Sequence, residues 1–275
     1  DEKHGYEEAI IKHKKPIEGW TEFRVRMGNI VDLRKLSEIL LDNGVVVPAD
    51  GDRKIMSQYI AHYVRELQKQ AATLRLFSSM GWKDHDKKFV LGDTIYDHDG
   101  DKYKVGLSTN INSDTATGFS SRGDLAEWVA LTRRLDEPGM EAHAFTLLCG
   151  FGAPLMKFTG LEGALVNVLG TSGTGKSTMQ RMINSIWGDY RRLAQSHEDT
   201  DNSKFAKAGL FSNLPVTIDE ITNIDSMQLS SFVYRITQGR DKNRLNRNGD
   251  ERHAPNSWNT IIISSSNESL VGRLA

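Results

Sequence analysis

The residues Gly170-Thr171-Ser172-Gly173-Thr174-Gly175-Lys176-Ser177 fit the pattern G-x-x-x-x-G-K-[ST] at every position, and they directly follow the apolar run Ala164-Leu165-Val166-Asn167-Val168-Leu169. That order commits the chain to a strand, a tight turn and a helix. The glycines let consecutive N–H groups face one anion, and a helix beginning near Lys176 adds the positive end of its dipole at the same place. Gly170, Thr171, Ser172, Gly173, Thr174 and Gly175, with Lys176, Ser177 and Thr178 behind them, read as a seat for the phosphates of ATP. Lys176 is then placed to reach the β- and γ-phosphates and the Ser177 hydroxyl to meet Mg²⁺. The structural alternative is a glycine turn without a ligand.

Downstream, Leu214-Pro215-Val216-Thr217-Ile218-Asp219-Glu220 reads as a short buried strand ending in two acids. Adjacent carboxylates are costly near a core unless a cation or a water requires them. Asp219 is the candidate Mg²⁺ ligand and Glu220 the candidate for polarising the attacking water; a solvated strand end is the competing account. A third apolar, β-branched run, Trp258-Asn259-Thr260-Ile261-Ile262-Ile263, ends in Ser264-Ser265-Ser266-Asn267. It suits a central parallel strand, whose carboxyl end is where such sheets carry their sites. Asn267 is the candidate γ-phosphate sensor, with Ser266, or a merely capping Asn267, as competing readings.

The balance of charge limits the partners. With 26% charged residues and a net charge of −1, the chain lacks a generally basic coat. Contact with nucleic acid must therefore come from a local cluster. The single cysteine, Cys149, cannot form an internal disulfide and points to a reducing setting such as cytoplasm. No apolar run approaches the roughly 20 residues that span a bilayer, and no apolar segment follows a basic start at Asp1, so neither a membrane partner nor a signal peptide is expected.

Texture along the chain suggests two parts. Residues 1–80 read as mostly helical, apart from a strand over Thr21 to Met27. One amphipathic helix carries Val31, Leu33, Leu36, Ile39, Leu40 and Leu41 and stops at Asn43-Gly44; another carries Ile55, Tyr59, Ile60, Tyr63, Val64 and Leu67. Residues 81–119 read as short strands and turns. There, Asp97-His98-Asp99-Gly100-Asp101 resembles a calcium loop only superficially, since its glycine is at the fourth position and Ser108 stands where a bidentate Glu is needed; a hairpin turn explains it better. Helices return over Asp124 to Leu135 and Met140 to Phe158, the latter with an apolar face of Phe145, Leu148, Phe151 and Leu155. Strand and helix then alternate to the end. The expected fold is α/β, a P-loop NTPase with a parallel sheet and flanking helices over 121–275, preceded by a smaller α+β domain over 1–120.

Between the acids and the candidate sensor lies a polar segment, Gly239 to His253, with the hairpin signal Asn248-Gly249. From Arg240 to Arg252 it carries five basic residues (Arg240, Lys242, Arg244, Arg247, Arg252) against three acids. Three readings stay open. Lys242, Arg244, Arg247 and Arg252 could grip a single-stranded DNA backbone; the segment could be a solvated surface hairpin; or Arg240, Lys242 or Arg244 could reach a neighbouring subunit's γ-phosphate as a catalytic arginine finger.

Several of these features occur together in one known group. Gly81-Trp82 with Phe89 to Gly92, Ala153-Pro154-Leu155, Gly170 to Thr178, Ile186-Trp187-Gly188, Asp219-Glu220, Gln238-Gly239-Arg240 and Ser264 to Leu270 follow the order found in ATPase domains of phage and mobile-element primase-helicases. Residues 80–275 resemble those domains, which are similar to superfamily III helicases within the AAA+ class. The resemblance implies a homo-oligomeric, hexameric ring that hydrolyses ATP while translocating on single-stranded DNA during phage replication. It also implies a primase or polymerase part outside this chain. The chain stops at Ala275, where many relatives carry a further arginine-bearing helix that Arg273 could begin. The rival readings are a AAA+ loader or remodelling ATPase acting on a protein, and an assembly module whose slow hydrolysis serves as a timer.

Overall fold

The computed structural model describes residues 7–47, 50–70, 76–104, 106–107, 111, 113–195, 198–222, 224–241 and 256–274. They divide into two compact units, one within 1–78 and 105–110, the other within 79–104 and 111–275. No helix among the described residues is long and apolar enough to cross a membrane.

The first unit opens with an antiparallel hairpin, β1 (Glu8–Lys15) and β2 (Gly19–Arg26). Sequence analysis expected helix over most of this region, but Ala9, Ile11 and His13 alternate with more exposed positions and face Val25, Phe23 and Thr21. A period of two over so few residues, diluted by lysines, is a weak signal. A short helical turn α1 (Met27–Ile30) leads to α2 (Leu33–Asp42), whose N-terminal amides of Arg34 and Lys35 bond the Asp32 carboxylate. Those backbone donors hold the Asp32 pKa below the usual carboxylate value. With α3 (Asp50–Lys69), these elements bury Phe23, Val25, Ile30, Leu36, Leu40 and Ile60 together. The strand β3 (Leu76–Phe77) pairs in parallel with Gly106–Leu107.

The second unit begins with an antiparallel meander of β4 (Gly81–Lys83), β5 (Lys88–Leu91), β6 (Thr94–Asp97) and β7 (Lys102–Lys104). At the β6–β7 turn the Asp97 carboxylate accepts the amides of Asp99 and Asp101. Sequence analysis grouped these strands with the N-terminal part, with a boundary near residue 120. The structure groups them with the C-terminal part. Trp82 is the reason: its indole N–H donates to Pro154 O, its amide to Asn213 Oδ1, and its ring packs edge-on against Phe89 and Phe158. Such long-range contacts leave no local pattern.

After the strand β8 (Gly106–Leu107) come α4 (Ser113–Gly118), α5 (Leu125–Thr132) and α6 (Glu141–Gly152). The single helix expected over Met140 to Phe158 ends as an α-helix at Gly152 and continues as a 3₁₀ segment, Ala153–Phe158. Pro154 has no N–H for the carbonyl of Gly150, and the Trp187 indole takes that carbonyl instead. The stripe Phe145, Leu148, Phe151 and Leu155 lies exposed, while Leu147, Cys149 and Gly150 are buried.

The remaining elements are β9 (Gly163–Leu169), α7 (Lys176–Trp187), α8 (Tyr190–Leu193), α9 (Asp201–Phe211), β10 (Val216–Ile218), α10 (Ser226–Thr237), β11 (Thr260–Ser266) and α11 (Leu270–Leu274). Three strands form a parallel sheet in the order β10-β11-β9. The last strand in sequence therefore sits between two earlier ones. Leu147 and Cys149 of α6, Met179 and Ile183 of α7, and Ile263 of the sheet share one core cluster; each fully buried side chain there contributes about 1.5–3 kcal/mol. The helices approach closely because a Cβ on Gly150 would lie 2.9 Å from Ile183 Cγ2. Burial raises the pKa of Cys149, so its thiol is inert.

Candidate functional site

The order of strands brings three chain ends together. Residues 169, 266 and 218 close β9, β11 and β10 at the carboxyl edge of the sheet, the edge at which parallel sheets bind ligands. From it emerge the loop Gly170 to Gly175, the residue Asn267 and the acids Asp219 and Glu220. The central position of β11 puts Asn267 between the other two groups.

The loop is anchored by Gly170 N–H on Ser266 O, and it turns through left-handed backbone at Gly173 (φ +84°) and Gly175 (φ +88°). Residues with a Cβ pay for such angles, glycine does not. Thr171, Ser172, Gly173 and Thr174 are exposed, whereas Lys176, the first residue of α7, is buried. The Lys176 ammonium donates to Gly170 O at 2.7 Å, Thr171 O at 2.9 Å and Asn267 Oδ1 at 2.9 Å. Asn267 Nδ2 in turn donates to Glu220 Oε2 at 2.9 Å, and the Thr222 hydroxyl donates to Glu220 Oε1 at 3.0 Å. A continuous chain of polar contacts thus runs from the loop, through Asn267, to the second acid.

The first acid stands beside the helix start. Ser177 Oγ lies 3.4 Å from Asp219 Oδ2. One hydroxyl and one carboxylate suit Mg²⁺, which keeps waters and takes further oxygens from phosphates. Glu220 has φ +50°, a left-handed conformation that a non-glycine residue holds only when its surroundings over-determine it. Its amide donates to Ser265 Oγ, and Ser265 Oγ donates to Asp219 Oδ1 at 2.5 Å.

Other residues that hold this arrangement escaped the sequence analysis. Lys176, Gln180 and Asn184 form a buried polar stripe at spacing four along α7. Gln180 Nε2 donates to Ile218 O, and Asn184 exchanges two hydrogen bonds with Thr217 Oγ1. These fix α7 to β10, and so Ser177 to Asp219. The signal was available: a helix face of i, i+4, i+8 polar residues beside apolar ones. His143 of α6 meets Thr174 O of the loop at 3.2 Å, a contact that nothing local announces.

The structure also separates the competing readings of the strand end. Ser266 faces away from the acids, accepting from Asn167 Nδ2 and donating to Glu268 O. The first turn of α11 bonds to Ser269, so Asn267 is not its cap. Thr178 is exposed in the first turn of α7. Arg273 is tied to Glu268 and to Ile224 O.

Arg240 does not join this group. It pairs with Ser257 before the start of β11, at the opposite end of a seven-residue strand, roughly 20 Å from the site at about 3.3 Å per residue. Within its own chain it cannot touch a phosphate held at the loop. The ends of the polar segment do run antiparallel, Asp241 N–H to Asn256 O and Trp258 N–H to Gly239 O. Lys242, Arg244, Arg247 and Arg252 lie outside the described residues.

A family described as "Domain of unknown function (DUF927)" matches residues 1–256, and the chain belongs to it. Among solved structures, "SCCmec type IV Cch - active helicase" is similar at a TM-score of 0.64 and 19% identity, over 94% of this chain and 50% of that one. The two share a fold, and this chain spans about half the length of that protein. None of the curated proteins matches.

Proposed function

We propose that this chain is the ATP-hydrolysing motor of a DNA helicase, acting as a homo-oligomeric ring on single-stranded DNA. The observation that carries the reading is the contact chain Lys176–Asn267–Glu220, with Ser177 and Asp219 alongside, at the carboxyl ends of three adjacent parallel strands. The helicase that shares the fold supports it.

ATP is the substrate. The loop amides from Gly170 to Gly175 and the N-terminus of α7 hold its phosphates, and Lys176 turns its ammonium from the loop carbonyls toward the β- and γ-phosphate oxygens. Ser177 and Asp219 would hold Mg²⁺, which would supply positive charge to offset that of the phosphates. Glu220 orients a water in line with the γ-phosphorus and accepts its proton as the water oxygen bonds that phosphorus; the bond from the γ-phosphorus to the bridging oxygen breaks, and ADP leaves with that oxygen and its negative charge, beside inorganic phosphate. Asn267 senses the γ-phosphate, because it already touches both Lys176 and Glu220. An arginine from a neighbouring copy, Arg240 among the candidates, completes the charge balance. The polar segment between Gly239 and Trp258 carries the DNA contacts.

The test measures phosphate release by the full chain with Mg²⁺, with and without single-stranded DNA over a salt series. Lys176→Ala and Glu220→Gln should each lower kcat by at least about 100-fold. DNA should raise turnover, and salt should weaken that stimulation. Wild-type turnover in both variants would refute the ATPase reading; turnover indifferent to DNA would refute the DNA motor.

A further inference from the structure

Asp219 and Glu220 sit on a turn, one of them in a left-handed conformation, yet the proposed chemistry needs both carboxylates held to a fraction of an ångström. Their common partner is a residue that neither the loop pattern nor the acidic pair includes. Ser265 is fully buried on the central strand β11. Its hydroxyl donates to Asp219 Oδ1 at 2.5 Å and accepts the Glu220 amide at 3.1 Å, while its carbonyl accepts the Ile221 amide at 3.0 Å. One residue thereby engages three consecutive positions of the acidic turn.

Strand geometry explains why this falls to position 265. Side chains alternate across a sheet, and Ser264 and Ser266 both turn to Asn167 on β9, Ser264 donating to Asn167 Oδ1 and Ser266 accepting from its amide. Ser265 faces the other way, toward the acids. A hydroxyl has one donor and two acceptor lone pairs, and here it uses the donor on one acid and a lone pair on the backbone of the other. Engaging Oδ1 leaves Oδ2 of Asp219 directed at Ser177. Asn267, just beyond the end of that strand, bonds the Glu220 carboxylate. Glu220 is thus held at its amide from β11 and at its side chain from the residue that follows it.

We propose that Ser265 is a positioning residue for the hydrolytic site: it sets the orientation of the Asp219 carboxylate toward the metal and fixes the backbone from which Glu220 projects. This rests on the ATP-hydrolysis reading. Alanine at 265 would remove the Ser265 partner of both Asp219 Oδ1 and the Glu220 amide on this half-buried turn, and the carboxylate would turn. Removing an outer-shell partner of a metal-holding carboxylate costs about 10–100-fold in metal affinity or activity.

The experiment compares wild type with Ser265→Ala, Ser265→Cys and Ser265→Thr in the full chain. It reads three quantities: the Mg²⁺ concentration for half-maximal binding of a fluorescent, non-hydrolysable ATP analogue, kcat and KM at saturating Mg²⁺, and the melting temperature. Ser265→Ala should raise the Mg²⁺ requirement for binding and lower kcat, each by about 10–100-fold, with KM within about threefold. Ser265→Thr, which keeps the hydroxyl, should recover most of both, and Ser265→Cys, a weak donor of similar size, should fall between. Wild-type Mg²⁺ dependence and kcat in Ser265→Ala would overturn the proposal, as would loss of folding in all three variants, because a purely structural role would then suffice. Lys176→Ala is measured beside them: if it binds and turns over ATP like wild type, the ATP reading itself has failed, and the failure is not specific to Ser265.

Discussion

Replacing Asn267 by alanine separates a residue that matters for chemistry from one that matters for folding. In the structure Asn267 makes two charge-assisted contacts of 2.9 Å, accepting from Lys176 Nζ and donating to Glu220 Oε2. In a dry core each would contribute about 1.5–3 kcal/mol. Asn267 is exposed, however, so water can replace it at both partners. Lys176 keeps its bonds to Gly170 and Thr171, and Glu220 keeps Thr222. The folding free energy should therefore change by less than about 1 kcal/mol. Turnover is more sensitive, because a preorganised donor at a site of charge development is worth about 100-fold or more in kcat, or about 2.7 kcal/mol. Phosphate release and urea unfolding on the same preparations test both halves. Asn267→Asp should be slower still, since it sets a second carboxylate against Glu220 while leaving Lys176 paired. Turnover of Asn267→Ala within about threefold of wild type, or a stability loss of several kcal/mol, would refute the reasoning, because the effect would then be either absent or structural.

Two further perturbations address stability. Asn213 is buried and links the meander to the parallel sheet, accepting the Trp82 amide and donating to Asn259 O; Asn213→Ala should cost about 2–4 kcal/mol in urea unfolding by stranding both groups, and a loss below about 1 kcal/mol would show that water reaches them. Lys207, which donates to Ala194 O, has its pKa pushed down to about 8 by burial, against the pull of Asp199. Between about 8 and the ordinary lysine value of 10.5, the unfolded chain holds a proton that the folded chain has released, so stability rises with pH across that window, by less than about 3 kcal/mol because the side chain is partly exposed. Lys207→Met should therefore lose part of the rise in unfolding free energy expected of wild type between pH 7 and pH 10, and an unchanged slope would exclude the effect.

How legible this chain is in its sequence depends on the range of the interactions. The strand, loop and helix over Ala164 to Trp187 are written locally, in an apolar run, glycines at fixed offsets and a helix-forming segment, and the structure places them as β9, a turn and α7. The acidic strand end and Asn267 are local too. What no window contains is that β11 inserts between β9 and β10, and this insertion is what places Asn267 between Lys176 and Glu220. The N-terminal hairpin was obscured because lysines occupy its outward positions, and the grouping of the meander with the sheet depends on Trp82 and Asn213, which are 131 residues apart. Arg240, expected from sequence to act on a neighbouring subunit, stands beyond the amino end of β11, seven residues of extended strand from the site of its own chain.

The polar groups buried near the site bear on what the arrangement is for. Lys176, Gln180, Asn184, Thr217, Ser264, Ser265 and Ser266 are all buried, on elements that apolar residues could pack at least as stably. Buried polar networks bring little net stability over an apolar core, even when every member is paired. The pairing is directional instead: Gln180 and Asn184 set the helix against β10, Ser265 sets the acids against β11, and Asn267 joins the acids to the lysine. Each bond fixes a position relative to the loop. Gln195, whose backbone bridges to the outer side of β10 and whose side-chain amide has no partner among the described residues, is a buried polar group not so used, an arrangement that costs stability. Buried polar bonds also occur at the amino end of β11, where Thr260 donates to Leu214 O, but those at the carboxyl edge differ in joining the lysine, the two acids and Asn267 in fixed relation.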